Sequence, residues 1–170
     1  MGGWETIEVG GRAVRCHVAG TPGPGTPGVL LLHAWWGLNE DIRAYADRLA
    51  AEGFAVLAPD LYAGTVVDTV EEAERMSGSL DEAASDAIAL AAFDSLARRT
   101  GPGGRTATLG FSLGVPWAVW VPARRSGAGR FRGIVCLHCE CRSATRATIR
   151  DPAIGDTRQP RPQDARSGAL

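Results

Sequence analysis

Segments that are apolar at every position alternate in this chain with longer segments of helical period. Residues 29–32 form the first apolar run and residues 54–58 the second, and strand-like runs at 106–109 and 131–137 follow. A strand without a polar face has to be buried on both sides, as the central strands of a parallel sheet are. The alternation of strand and helix with short loops therefore predicts an α/β fold, with helices on both faces of a mostly parallel sheet.

Capping signals mark where the intervening helices begin. Asn39 is a suitable N-cap for a helix after the first buried run. Thr69 with Glu72, and Ser79 with Glu82, have the spacing of capping boxes. These two pairs predict a short helix followed by a long alanine-rich helix.

Two strands of alternating polarity precede the first buried run. Residues 5–9 and 12–19 are separated by Gly10-Gly11, which is a hairpin signal. We expect an antiparallel hairpin at one edge of the sheet, with His17 on its solvent face.

A glycine–serine–glycine pattern joins the strand at 106–109 to the next helix. Residues 110–114 read GFSLG, the G-x-S-x-G of a nucleophile elbow. A sharp strand-to-helix turn lifts the Ser112 hydroxyl clear of the sheet and needs small residues two positions either side. The N–H of Leu113 then points at the oxygen that becomes negative in a tetrahedral intermediate. The alternative is a glycine-rich turn that happens to contain a serine.

The segment HAWWGLN at residues 33–39 follows the first buried run. In α/β-hydrolases the loop at this place supplies the second oxyanion N–H. Trp35 and Trp36 offer an apolar wall for an acyl or lactone substrate. His33 is assigned a structural role, because the base in these folds follows the nucleophile along the chain.

Chained together, these motifs resemble the dienelactone hydrolase family. HAWWGLN is followed by RLAAEGF, VLAPDLY, an EEAE helix and GFSLG, and the resemblance covers roughly residues 5–137. It implies an α/β-hydrolase fold and a small cytoplasmic enzyme that opens lactones or cleaves simple esters without a cofactor. By position it implies that Ser112 is the nucleophile and that the N–H groups of Leu113 and Trp35 are the oxyanion donors.

The chain departs from the family at several positions. Founding members carry Cys as the nucleophile and Glu after the loop histidine, where this chain has Ser112 and Ala34; both changes fit a serine version. Val115-Pro116 replaces a second glycine after the elbow. Pro122 is expected to kink or end the helix that follows.

The charge balance changes after residue 120, and beyond residue 139 the chain has no helical or strand periodicity. Up to residue 120 the chain has 8 arginines against 15 acidic residues, and afterwards 10 arginines against 4. We therefore predict an incomplete hydrolase domain at 1–138, with the C-terminal part of the fold missing. Residues 139–170 are predicted to be an Arg/Pro-rich, largely disordered tail. A shift of reading frame near Leu137 is one hypothesis that accounts for the change.

The acid and base of a triad are not identifiable. In the family the acid follows the next strand and the histidine comes later, but no histidine follows His138. Asp151 and Asp156 lie near the expected place of the acid in unfamiliar surroundings. Without an aligned base a serine is a weak nucleophile, so low turnover is expected.

Cys136, His138, Cys139 and Cys141 offer a second interpretation of this region. Four soft ligands suit zinc in type, although structural sites draw two pairs from separated knuckles. Cys136 and Cys139 could also form a redox pair, but they do not open a helix. We predict no metal site and treat these thiols as incidental.

Overall composition excludes several classes of protein. The net charge of −1 gives no attraction to nucleic acid, and no apolar run is long enough to span a membrane. The first residues do not read as a signal peptide, and four cysteines without one suggest reduced thiols in the cytoplasm.

Three function hypotheses remain open, and the weakest of them is a metal-binding module built on the Cys/His cluster of the preceding region. Of the other two, one is a cofactor-free hydrolase of small esters or lactones that forms an acyl-Ser112 intermediate. The other is a non-catalytic remnant that binds small apolar esters. Because an incomplete sheet exposes an apolar edge, self-association is also expected.

Overall fold

The computed structural model describes residues 2–125 and 131–137. These residues form six strands: β1 (Gly3–Val9), β2 (Arg12–Ala19), β3 (Gly28–Leu32), β4 (Ala55–Pro59), β5 (Thr106–Phe111) and β6 (Phe131–Leu137). They also form four α-helices: α1 (Glu40–Ala51), α2 (Val70–Gly78), α3 (Glu82–Thr100) and α4 (Val115–Arg125). A 3₁₀ turn, Ser112–Gly114, connects β5 to α4.

All six strands belong to one sheet in the order β1-β2-β4-β3-β5-β6. β4, β3, β5 and β6 run parallel to one another, while β1 and β2 form an antiparallel hairpin that joins the sheet beside β4. The predicted α/β-hydrolase architecture, with a mostly parallel sheet and an N-terminal hairpin at its edge, is confirmed.

The two central strands are buried at every position, as their apolar sequences require. All five residues of β3 and all five of β4 are buried. Alternate side chains of β3 serve opposite faces: Leu30 and Leu32 pack in the core under α3 and α4, and Val29 and Leu31 pack under α1. Helices therefore cover both faces of the sheet, which is why β3 has no polar position.

The helix starts agree with the capping signals in two cases and differ in one. The side chains of Asn39 and Thr69 accept hydrogen bonds from the first turns of α1 and α2. The predicted capping box at Ser79 is wrong. Ser79 ends α2, and Asp81 caps α3 by accepting a hydrogen bond from the N–H of Ala84 at 3.0 Å. Asp81 lies two residues after Ser79, and its carboxylate occupies the N-cap position of α3 instead.

The solvent-facing position predicted for His17 is also wrong, because the side chain is only 5% exposed. β2 lies between β1 and β4, and α1 covers one of its faces. His17 Nε2 lies 3.3 Å from Asp47 Oδ1 on α1, and the ring meets Trp4 edge to face. The alternation of polar and apolar residues placed His17 on the correct face of β2. It could not show that α1 covers this face.

Pro122 does not end its helix, since α4 continues to Arg125. A proline removes the N–H that would bond the carbonyl four residues earlier. That carbonyl, on Ala118, accepts a hydrogen bond from the Thr108 hydroxyl instead. The lost helical bond is thus replaced from β5.

Residues 138–170 lie outside the described part of the chain. The predicted domain boundary at residue 138, the disordered tail and the frameshift hypothesis all concern those residues. Within residues 2–125 and 131–137, none of the helices combines the length and apolarity needed to cross a bilayer.

Candidate active site

The loop after β3 and the turn after β5 emerge side by side. β3 and β5 are parallel neighbours, with Leu32 paired to Gly110. The carboxyl ends of parallel strands lie at one edge of a sheet, and ligands of open α/β sheets bind outside that edge. The sheet therefore brings the HAWWGLN loop and the GFSLG turn together, as a site built from both requires.

Ser112 has a backbone conformation that L-residues rarely adopt. Its φ is +45°, and Ala63 is the one other non-glycine residue with positive φ in the described chain. Such a conformation costs on the order of 1 kcal/mol or more and persists where the surroundings enforce it. Ser112 stands at the first position of the 3₁₀ turn, half-buried, between the end of β5 and the start of α4. A serine with positive φ in a tight strand-to-helix turn has the backbone geometry that a nucleophile elbow has.

The two glycines of the motif are required by close backbone approach. A Cβ at Gly110 would lie 2.6 Å from the Gly114 carbonyl oxygen, and a Cβ at Gly114 would lie 2.6 Å from the Leu32 carbonyl oxygen. Neither neighbour is a flexible side chain that could move aside. The turn thus packs directly on the end of β3, which holds Ser112 at the sheet edge.

Backbone hydrogen bonds fix the shape of the loop after β3. The Gly37 N–H donates to the Ala34 carbonyl at 3.1 Å, and the Val67 N–H donates to the Trp36 carbonyl at 3.2 Å. Gly37 has φ of +88°, and a Cβ there would lie 2.5 Å from the Thr65 carbonyl oxygen. The segment after β4 therefore packs against the HAWWGLN loop and is hydrogen-bonded to it.

Aromatic side chains surround the two loops. Trp35 and Trp36 are half-buried and meet edge to face, with ring centroids 5.3 Å apart. Phe111, immediately before Ser112, meets Tyr45 of α1 edge to face at 5.2 Å. Aromatic side chains of this kind suit contact with the acyl part of a small ester.

His33 is fully buried, and both of its ring nitrogens have partners. Nε2 accepts a hydrogen bond from the Leu61 N–H at 3.1 Å, and Nδ1 lies 2.7 Å from the Ala34 carbonyl oxygen. Burial lowers the pKa of His33 below its ordinary value, so the ring is neutral. A neutral ring with both nitrogens bonded agrees with the structural role predicted for it.

Neither histidine in the described residues is available as a base for Ser112. Both ring nitrogens of His33 have partners, and His17, which lies on β2, is hydrogen-bonded to Asp47 of α1. β2 is separated from β5 by β4 and β3, a distance of roughly 14 Å at ordinary strand spacing. The third histidine, His138, lies outside the described residues, as do Asp151 and Asp156.

Cys136 lies in β6, and the other members of the possible metal or redox cluster (His138, Cys139 and Cys141) lie outside the described residues. In the described part of the chain no group of three or more His, Cys, Asp or Glu is placed to hold a metal ion.

Asp60 organises the turn beside the site, although no role was predicted for it. Its buried carboxylate accepts hydrogen bonds from the N–H groups of Tyr62 at 3.0 Å and Gly64 at 2.7 Å. An Asp at the end of a strand is a signal for such a turn, because its side chain can accept a hydrogen bond from the backbone two residues on. Burial also raises the pKa of Tyr62 to about 12.

Comparison with known proteins gives a consistent result. The model of the dienelactone hydrolase family matches residues 14–154. A putative carboxymethylenebutenolidase of Aquifex aeolicus is 36% identical over 91 residues, which is 52% of this chain and 39% of that protein. The protein called usf of Aquifex pyrophilus is 37% identical over a segment of the same length, with the same shares covered.

Solved structures of similar fold include one named m3DLH, with 32% identity and a TM-score of 0.68. Another is a dienelactone hydrolase-like promiscuous phosphotriesterase from metagenomic libraries, with 26% identity and a TM-score of 0.63. Each match covers 82% of this chain and 59% of the solved chain. The chain thus spans about three fifths of these structures, and its matching segment about two fifths of the curated relatives.

Proposed function

The chain belongs to the dienelactone hydrolase family, and from that premise we propose that it hydrolyses small carboxylic esters or lactones through Ser112. The single observation that carries the proposal is the positive φ of Ser112 between two glycines that leave no room for a side chain. A strained serine at the carboxyl edge of a parallel sheet has the position and backbone conformation of the nucleophile in a nucleophile elbow.

The proposed reaction begins with attack of Ser112 Oγ on the substrate carbonyl. The tetrahedral oxyanion is stabilised by the N–H groups of Leu113 and Trp35, and the helix dipole of α4 adds a favourable partial charge. The bond from the carbonyl carbon to the alkoxy oxygen breaks, and that oxygen takes up the proton that Ser112 loses, so the alcohol leaves, or the lactone ring opens, and an acyl-Ser112 ester remains. Water then attacks the acyl carbon, which releases the carboxylic acid and returns a proton to Ser112 Oγ. Trp35 and Trp36 provide the apolar wall for the acyl group, and no step needs a cofactor or metal.

The alternative is a hydrolase domain that binds such esters without turning them over. It is favoured by the commitment of His17 and His33 to other partners, which leaves Ser112 without an imidazole among the described residues. An oxyanion hole without a working triad still accelerates acyl transfer by about 10³-fold over water. The two candidates therefore differ in rate by orders of magnitude.

A fluorophosphonate probe tests the proposal, because Ser112 Oγ attack on phosphorus forms a P–O bond and expels fluoride. We expect labelling within minutes, abolished by Ser112→Ala. Ser79→Ala is the matched control, since Ser79 is an exposed serine at the end of α2, and it should label like the parent. Absence of labelling in the parent chain contradicts the hydrolase and supports the binding domain.

Two expectations from the sequence stay predictions. β6 is the outer strand of the sheet in the part of the chain that the structure describes, and we expect self-association through this edge, measurable by sedimentation at several concentrations. A cytoplasmic location is expected and is testable by fractionation.

A further inference from the structure

We infer that His33 is a positioning residue for the oxyanion hole: its ring holds the peptide group between Ala34 and Trp35 in the orientation that presents the Trp35 N–H. This inference rests on the proposed function, in which that N–H is one of two oxyanion donors. It gives a task to a buried histidine that the reaction itself does not use.

The hydrogen-bond partners of His33 determine which nitrogen carries the proton. The Leu61 N–H can only donate, so Nε2, 3.1 Å away, has to accept. A neutral imidazole then carries its hydrogen on Nδ1, which donates to the Ala34 carbonyl at 2.7 Å. The ring therefore acts as a donor toward the loop and as an acceptor toward the segment after β4.

The bond to Ala34 controls Trp35 because both atoms belong to one peptide plane. In a trans peptide the carbonyl of one residue and the N–H of the next point in opposite directions. Fixing the Ala34 oxygen therefore fixes the direction of the Trp35 N–H. The Gly37 N–H donates to the same oxygen at 3.1 Å and closes the turn. The His33 ring and the Gly37 amide thus define one orientation of this plane.

The acceptor side of the ring prevents His33 from turning away. Leu61 follows β4, which is hydrogen-bonded to β3, so the ring spans two neighbouring strand ends. The ring also meets Tyr62 edge to face, with centroids 5.1 Å apart. Because His33 is 0% exposed, no water competes for either nitrogen. The Ala34–Trp35 peptide is therefore anchored to the sheet before a substrate arrives, as preorganised oxyanion donors are.

Two isosteric substitutions separate the donor from the acceptor. In His33→Asn the side-chain amide nitrogen stands near the position of Nδ1, so the bond to Ala34 is kept and the bond from Leu61 is lost. In His33→Gln the side-chain oxygen stands near the position of Nε2, so the bond from Leu61 is kept and the bond to Ala34 is lost. Both variants bury an amide at the same place, which makes each the control for the other.

We expect His33→Gln to lower the rate of fluorophosphonate labelling at Ser112 about tenfold or more, since losing one oxyanion donor outright costs about 10²- to 10³-fold. His33→Asn should retain most of the parent rate, and probe affinity should change little in either. Equal rates in the two variants, or a larger loss in His33→Asn, overturn the inference.

A second readout does not depend on reactivity. The amide ¹H and ¹⁵N shifts of Trp35 and its hydrogen-exchange rate should change in His33→Gln and stay close to the parent in His33→Asn. If the parent chain fails to label, the proposed function fails, and the Trp35 amide still decides whether His33 sets this peptide. Unchanged Trp35 signals in His33→Gln overturn the inference whatever the labelling shows.

Discussion

The hydroxyl of Thr108 donates a 2.6 Å hydrogen bond to the backbone carbonyl of Ala118. The carbonyl needs this donor because Pro122, four residues later, has no N–H to offer. Thr108 and Ala118 are both 0% exposed, so the Ala118 carbonyl would have no solvent water to bond if Thr108 did not donate to it. One strand side chain thereby allows α4 to continue through a proline behind the nucleophile turn.

Thr108→Val is expected to lower the free energy of unfolding by about 1–3 kcal/mol, since it leaves a buried acceptor unsatisfied. The loss should be smaller in a Pro122→Ala background, where a helical N–H becomes available to Ala118. Urea unfolding of the two single variants and the double variant measures this coupling. Additive effects contradict the compensation.

Thr106 provides the matched control on the same strand. Its side chain is also 0% exposed, but among the described residues its hydroxyl has no hydrogen-bond partner. Thr106→Val should therefore be neutral or stabilising, because it removes a buried hydroxyl that satisfies nothing. A cost equal to that of Thr108→Val would show that packing, not the hydrogen bond, sets both values.

Alanine at either motif glycine is expected to destabilise the chain and disturb the site. A Cβ at Gly110 or Gly114 meets a backbone carbonyl oxygen at 2.6 Å, so the turn or the end of β3 has to move. The expected cost is about 1–3 kcal/mol, as for other overpacking changes. Gly78→Ala, at the end of α2 with open space around it, should cost nothing. Thermal unfolding compares the three, and a tolerated Gly114→Ala contradicts the described turn.

Stability is expected to fall as the pH drops below about 6.5. Burial keeps the pKa of His33 below its ordinary value of 6.5 in the folded chain. The unfolded chain therefore binds a proton first, and the free energy of unfolding falls by at most about 1.4 kcal/mol per pH unit. The stability that neutral His33 contributes is fully present above pH 6.5 and is lost as the pH falls toward the pKa of His33 in the folded chain.

Urea titrations between pH 7.5 and 5, a window chosen to lie roughly above the carboxylate pKa values, measure this effect. His33→Asn removes the titrating group, so its stability should be flatter over the same range. Parallel curves for the parent and His33→Asn would assign the pH dependence to other groups.

Cys16 is expected to resist alkylation in the folded chain. Its side chain is 0% exposed, and burial raises the pKa of the thiol to about 12. Since the thiolate is the reactive form, iodoacetamide at pH 8 should spare Cys16 in buffer and modify it in urea. Peptide mass spectrometry locates the label. Modification of Cys16 in the native state at the unfolded rate contradicts its placement on β2 in the buried core.

The sequence predicted the features that depend on local pattern. Runs without polar residues identified β3 and β4, and the spacing of Gly110, Ser112 and Gly114 identified the strained turn. These succeed because burial on two faces and a sharp turn each restrict residue type at fixed, nearby positions.

Features set by contacts between distant residues escaped sequence reasoning. Asp47 lies 30 residues from His17, and Leu61 lies 28 residues from His33. No periodicity links such pairs, because tertiary packing alone brings them together. Asp81 took the cap predicted for Ser79 for a different reason: two suitable caps stood two residues apart, and propensity alone did not rank them.

The central claim, that Ser112 attacks ester carbonyls, is tested most directly by the mass of the intact chain during incubation with p-nitrophenyl acetate. We predict the transient addition of one acetyl group, located at Ser112 by peptide mapping of acid-quenched samples, with a burst of one equivalent of p-nitrophenol before slower steady release. Ser112→Ala should lose this addition and Ser79→Ala should keep it. Acetylation that is absent, or that persists unchanged in Ser112→Ala, would contradict the claim.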